Sequence, residues 1–225
     1  MNRDEQVSRG RALAPRRHWT GTRASLYPSE TSGGTWIGAS DAGLSLALVN
    51  WYAKPQRDRA LCVSRGIIIP HLLAAENLVE LAVLFADLPL AKINPFRLIA
   101  ASAKERQLRE WRWDGMALTC KRFGWRRRHW FSSGYDEALT NKRRAIVVRG
   151  AAKSSPTPAW LRKLHQSHLP ERGPFSICMH RAEAKTVSYT EIVATKSGAT
   201  MRYAPGSPCT AKLGAPRLLS FASGA

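Results

Sequence analysis

The run Gly33-Gly34-Thr35-Trp36-Ile37-Gly38-Ala39 leads through Asp41-Ala42-Gly43 into Leu44-Ser45-Leu46-Ala47-Leu48-Val49-Asn50. No other part of the chain constrains the fold as tightly. Two short apolar runs on either side of an Asp/Gly turn read as a β-hairpin. The second run is nearly continuous in apolar and small residues, the pattern of a strand covered on both faces. Gly33-Gly34 lacks the strand-before, helix-after context of a dinucleotide loop, so it reads as a backbone constraint ahead of the hairpin. Trp36 reads first as core packing, with stacking on a ligand as its functional alternative.

Around this hairpin the apolar spacing predicts a layered fold. Pro70 to Leu88 places Leu72, Leu73, Leu78, Leu81, Leu84 and Phe85 at helical spacing, and Pro89 ends the segment. Phe96 to Ala101, Leu108 to Trp113 and Met116 to Lys121 are expected as successive strands, with Asp114-Gly115 as a tight turn. Ser155-Pro156-Thr157-Pro158 announces a helix through His165. Phe175 to Met179, Val187 to Ala194 and Met201 to Tyr203 are expected as strands again. The first thirty-odd residues, basic and holding Pro15 and Pro28, read as extended or looped. Helices that interrupt a mostly antiparallel β pattern fit an α+β sandwich. The 225 residues show no repeat and no long linker, so one domain over 1–225 is expected.

Composition excludes several classes. Hydrophobic residues make up 44% and charged residues 23%, as in a globular protein. The most apolar stretch, Leu78 to Ala91, is broken by Glu80 and Asp87, so no membrane span is expected. No secretory signal is expected either, since the first thirty residues carry several charges and no apolar run, and four scattered cysteines without a CxxC pair read as the reduced thiols of a cytoplasmic protein. Cys178 and His180 offer two metal ligands, but a zinc site needs three or four and no second cluster is visible, so no metal is assigned. His180 then reads as a packed core histidine, with haem or metal ligation as the functional alternative.

The formal net charge of +19 favours a polyanion or an anionic ligand without identifying one. The densest basic patch is Arg126-Arg127-Arg128-His129-Trp130, with Lys142-Arg143-Arg144 close behind. A solvated loop is its simplest reading. Arg128 and Trp130 are its candidate ligand contacts, for the ring and propionates of haem or for stacked bases. No helix-turn-helix, zinc-finger or RNP signature supports nucleic-acid binding, which ranks last.

Asn2-Arg3-Asp4-Glu5, the Gly33-to-Gly38 run and the Gly43-to-Asn50 strand together resemble the NRDE family, whose animal members are called transport and Golgi organisation proteins. The resemblance continues through Ser64-Arg65-Gly66, Met179-His180-Arg181, Thr186-to-Thr190 and Tyr203-x-Pro205-Gly206-x-Pro208-Cys209. It implies a relative of the N-terminal-nucleophile (Ntn) hydrolases, near the choloylglycine hydrolase and acyltransferase branch, with a four-layer αββα sandwich of mostly antiparallel sheets. In such enzymes an N-terminal cysteine attacks an amide or thioester. By that resemblance Arg3 and Asp4 match the pair that orients the nucleophile, and Asn50 matches the oxyanion-hole asparagine. Arg181 or Lys185 matches a late basic residue that faces the nucleophile or a substrate carboxylate.

The departure is at the start. The family pattern has a Met-Cys beginning and an apolar strand ahead of NRDE, whereas here Met1 abuts Asn2 and the first cysteine is Cys62. The expectation is therefore a sandwich missing its first strand and nucleophile, able to bind an acyl carbonyl but catalytically silent. A start assigned too late is the preferred explanation over a true truncation. Haem or lipid carriage is the second functional reading, because the family resemblance also implies links to haem movement and lipid metabolism. No cofactor is required.

Overall fold

The computed structural model describes residues 1–152 and 157–222. In chain order its elements are β1 (Asn2–Gln6), β2 (Leu13–Thr20), β3 (Arg23–Ser29), β4 (Ile37–Ser40) and β5 (Leu44–Asn50), then α1 (Ile68–Leu72) and α2 (Leu78–Leu84). There follow β6 (Phe96–Ser102), β7 (Gln107–Trp113), β8 (Leu118–Gly124), α3 (Glu137–Ala151), α4 (Pro158–Gln166), β9 (Ala184–Ala194), β10 (Gly198–Ala204) and β11 (Arg217–Ser220).

The strands form two sheets whose pairings are antiparallel. The larger runs β2-β3-β4-β5-β6-β7-β8 and the smaller β1-β9-β10-β11. The predicted hairpin is β4-β5, with Ile37 opposite Ala47. Strand alternation then sets the layers. Leu44, Leu46 and Leu48 of β5 join Phe96, Leu98, Trp111 and Trp113 in one core beneath α1 and α2. On the opposite face of the large sheet, Leu26 and Ala39 pack against Met201 and Leu219 of the small sheet. The outer face of the small sheet carries α3 and α4, tied by Arg144 to Asp4 and by Arg162 to Glu191. The order helix, sheet, sheet, helix is the four-layer α+β arrangement expected.

Several sequence expectations are corrected. The first thirty residues, read as extended or looped, hold three strands: β3 is almost wholly buried between β2 and β4, while β2 exposes Arg16 and Arg17 alongside Leu13, Ala14, Trp19 and Thr20. Pro28 is tolerated since β4 pairs only with Ser25 and Leu26 of that strand. The helix expected over Pro70–Leu88 is two short helices. Asn77, extended at φ −153°, accepts from the N–H groups of Val79 and Glu80 and so starts α2 afresh. Phe175–Met179 is irregular rather than a strand, since Ser176 Oγ turns the backbone by donating to the carbonyls of Gly173 and Cys178. Helix α4 begins where expected, at Pro158 behind the Thr157 cap. Ser155 and Pro156 lie outside the described residues.

Candidate functional site

The NRDE segment is β1, the edge strand paired to β9, and its register shifts between Arg3 and Asp4. Arg3 turns toward the large sheet. Its guanidinium lies 4.2 Å over the Trp36 ring and pairs with Glu30 and Glu5. Burial lowers the Arg3 value from that of a free guanidinium, against the opposing pull of Glu30 and Glu5. Asp4 turns the other way. One oxygen accepts from the Thr186 hydroxyl at 2.6 Å and the other from Arg144 of α3 at 3.2 Å. Asn2 ties the same strand to two carbonyls, those of His165 and Ile177.

Arg3, Asp4, Asn50 and Arg181 are each held by different partners. Asn50 ends β5, where its amide donates to the Tyr52 hydroxyl at 2.8 Å. Alternation along β5 puts it on the side of Leu46 and Leu48, facing the helices. Arg181 pairs with Glu183 and stacks 4.7 Å over Tyr135, and Lys185 sits opposite Glu5 at the start of β9.

Between the two sheets opens a cleft of about 500 Å³. Ile37, Ala47, Ile99, Ala101 and Leu108 supply an apolar wall from the large sheet, and Thr190 and Ile192 of β9 face them. Arg126, Arg128 and Trp130, from the segment after β8, border it as well, together with Met1, Leu161 of α4 and Glu191. Arg128 stacks 3.9 Å over Phe123, and Trp130 meets the same ring edge-on at 6.3 Å. The basic patch legible in the sequence therefore borders a cavity. Trp36 packs with Ile37 and Tyr203 beside that cavity and is itself covered by Arg3. Such a size is within the ordinary range for small-molecule sites.

At one corner of the cleft lining, Glu191 accepts two hydrogen bonds from Arg162, each 2.8 Å, and one from the Tyr189 hydroxyl at 3.1 Å. Burial alone would raise the Glu191 carboxyl. The hydrogen bonds and charge of Arg162, with the Tyr189 hydroxyl, outweigh it and leave the group below its ordinary value.

A family model described as Transport and Golgi organisation 2 matches residues 1–122. The chain belongs to this family. Among solved structures it is similar to penicillin V acylase from Agrobacterium tumefaciens, at 13% identity and a TM-score of 0.48, over 93% of this chain and 80% of that one. No curated protein matches the chain in sequence. Residues 1–122 take in the NRDE strand, the Gly33–Asn50 hairpin and the large sheet up to β8, so the family match covers most of one wall of the cleft.

His180 lies elsewhere, bridged to Lys185 at the start of β9 on the side away from β1. Its Nε2 is 3.6 Å from Cys178 Sγ and 3.5 Å from Cys209 Sγ, and its ring is 5.1 Å from that of His168. The expectation that Cys178 and His180 stand without further ligands is corrected by this grouping. Burial pushes the Cys178 thiol up to about 12, and burial followed by the charge of Arg172 lowers His180. Arg144, Thr186, His168 and Cys209 did not stand out in the sequence as site residues. Thr186 and Cys209 were already within the resembling motifs, and Arg144 was within a basic run. Among the described residues no helix is long and apolar enough to cross a membrane.

Proposed function

We propose that this protein binds an acylated, anionic small molecule of the amide or thioester class in the intersheet cleft. The observation that carries the reading is the pairing of an apolar wall, Ile37 to Leu108, with two guanidinium groups and an indole at Arg126, Arg128 and Trp130. An acyl chain gains roughly 0.8 kcal/mol for each methylene it buries. An anionic head group is held best by guanidinium, which donates in a planar fork. Among the described residues, the lining offers the hydroxyls of Ser45 and Thr190 but no thiol or imidazole. Binding is therefore the reading, with no chemical step derived.

Titration of the full chain with dodecanoyl-coenzyme A, followed by tryptophan fluorescence and calorimetry, tests it. Saturable binding is expected, about tenfold weaker or more in an Arg126→Ala, Arg128→Ala double variant, a loss of about 1.4 kcal/mol. Equal binding of coenzyme A without its acyl chain would sink the reading. Haem is the second reading, favoured by Trp130 beside Arg128 as a flat surface next to a cation. A Soret shift on adding hemin that Trp130→Ala abolishes would support it. No shift at micromolar protein would remove it.

A further inference from the structure

We propose that His168, Cys178, His180 and Cys209 form a four-ligand zinc site on the outer side of the small sheet. One ligand atom from each of the four lies within 4.8 Å of the others. Tetrahedral zinc, with Zn–S of about 2.3 Å and Zn–N of about 2.0–2.1 Å, requires nitrogen-to-sulfur edges of roughly 3.5 Å. The two such edges at His180 measure 3.6 and 3.5 Å. Two thiols and two imidazoles are the donor set that selects zinc over the hard, oxygen-seeking cations. Because protein atoms fill all four positions, the site is structural rather than catalytic.

The surroundings hold the ligands in place. His168 follows α4, and its Nε2 is buried without a hydrogen-bond partner among the described residues. The carbonyl of Ser167, its neighbour, accepts from the Cys178 N–H at 2.9 Å, which draws the two segments together. Between Cys178 and His180, the Met179 N–H donates to Thr186 Oγ1 at 2.9 Å while Thr186 N–H returns a bond to the Met179 carbonyl. Cys209 sits in the turn after β10. That turn is pinned to β9 by the Ser207 hydroxyl donating to the Thr186 carbonyl at 2.6 Å. The Cys209 backbone N–H also points at the Cys178 sulfur, the kind of second contact that orients a metal-bound thiolate. Three segments, the last of them 29 residues beyond His180, thus converge with their donor atoms close together. A bound ion would fasten α4, the Cys178–His180 segment and the β10 turn to the NRDE strand through Thr186 and Asp4.

The test uses the full chain purified without chelator. Elemental analysis should find about one zinc per chain. After exchange, Co²⁺ should give the visible bands of a tetrahedral site together with a near-ultraviolet thiolate-to-metal band. Cys209→Ser should lose part of the thiolate band. Because Cys178 is fully buried, His168→Ala on its half-buried loop is the variant least prone to misfold. It should weaken Co²⁺ binding at least about 100-fold with unchanged circular dichroism. Co²⁺ binding without a thiolate band, or equal binding by wild type and His168→Ala, overturns the proposal. So does a Cys178–Cys209 disulfide in the purified protein that, once reduced, takes up no Co²⁺.

Discussion

Asp4 and Thr186 are joined by a 2.6 Å hydrogen bond, from the threonine hydroxyl to the carboxylate, across the first and last-but-two strands of the small sheet. The same hydroxyl accepts from the Met179 N–H, and the second Asp4 oxygen accepts from Arg144 of α3. One carboxylate of the NRDE motif therefore connects an edge strand, a helix and the segment that carries Cys178 and His180. Removing it strands a charge, since Arg144 is buried. Breaking a buried pair from one side costs about 3–5 kcal/mol. Asp4→Ala should sit at the lower end of that span, because the Asp4 side chain keeps some contact with water. Thr186→Val, which leaves the Met179 N–H without its acceptor, should cost about 1–3 kcal/mol. Urea denaturation of both variants measures this, and a change under about 0.5 kcal/mol in Asp4→Ala would show that Arg144 finds another partner.

A second family feature has a steric origin. A Cβ placed on Gly34 would lie 3.1 Å from Gly66 Cα, and one on Gly66 would lie 3.0 Å from Gly34 Cα. The two backbones touch, and the Thr35 N–H donates to the Gly66 carbonyl at 3.0 Å. Gly33, at φ +86°, makes the turn that brings the chain there. Gly34→Ala and Gly66→Ala should each lower stability by about 1–3 kcal/mol, the range for forcing extra atoms into a filled interior. Gly150→Ala, whose Cβ meets nothing within 4 Å, is the control and should be neutral or slightly stabilising. Thermal melts that rank the three alike would refute the backbone-contact account.

What the sequence disclosed, and what it hid, follows from where each residue spends its side chain. The β4-β5 hairpin was legible because Leu44, Leu46 and Leu48 announce a buried strand and Asp41-Ala42-Gly43 a turn. Helix α3 was not, because its buried stripe is Thr140, Arg144 and Val148. Those positions are four apart, as a helix face requires, but two of the three are polar and one is a partner of Asp4. Strand β2 was hidden in the same way, since its one fully buried residue is Pro15. Of the candidate site, the basic patch and Trp130 could be read, yet not the cavity they border, whose wall comes from four other strands. The Cys/His group was half visible as Cys178-x-His180. Its other members come from a loop before it and a turn after β10, a juxtaposition that only the fold of the small sheet creates.

The Glu191–Arg162 pair makes stability depend on pH with a definite sign. The Glu191 carboxyl lies below its ordinary value in the folded state, so the pair contributes fully above the unfolded-state value of about 4.3 and is lost as pH falls through the folded one. Glu191→Gln should be less stable than wild type at pH 7. The gap should narrow as the pH is lowered from about 5 toward 3. Denaturant midpoints across that range provide the check, and two parallel curves would mean that the carboxylate carries no such linkage.

Adjacent alanines on β6 separate the cleft from the core. Ala100 is fully buried on the face covered by α1 and α2, whereas Ala101 lines the cleft. A phenylalanine at position 100 has no space to enter, and overpacking there should cost about 1–3 kcal/mol or more. At position 101 the ring would extend into open volume between Ser45 and Leu108. Ala101→Phe should therefore keep its melting temperature close to that of wild type. Occupying the apolar wall should still weaken dodecanoyl-coenzyme A binding by about tenfold or more, equivalent to the loss of two or so buried methylenes. Unchanged affinity in a folded Ala101→Phe protein would place the ligand outside the cleft. Lost affinity with an unchanged melt would locate the acyl chain between the sheets.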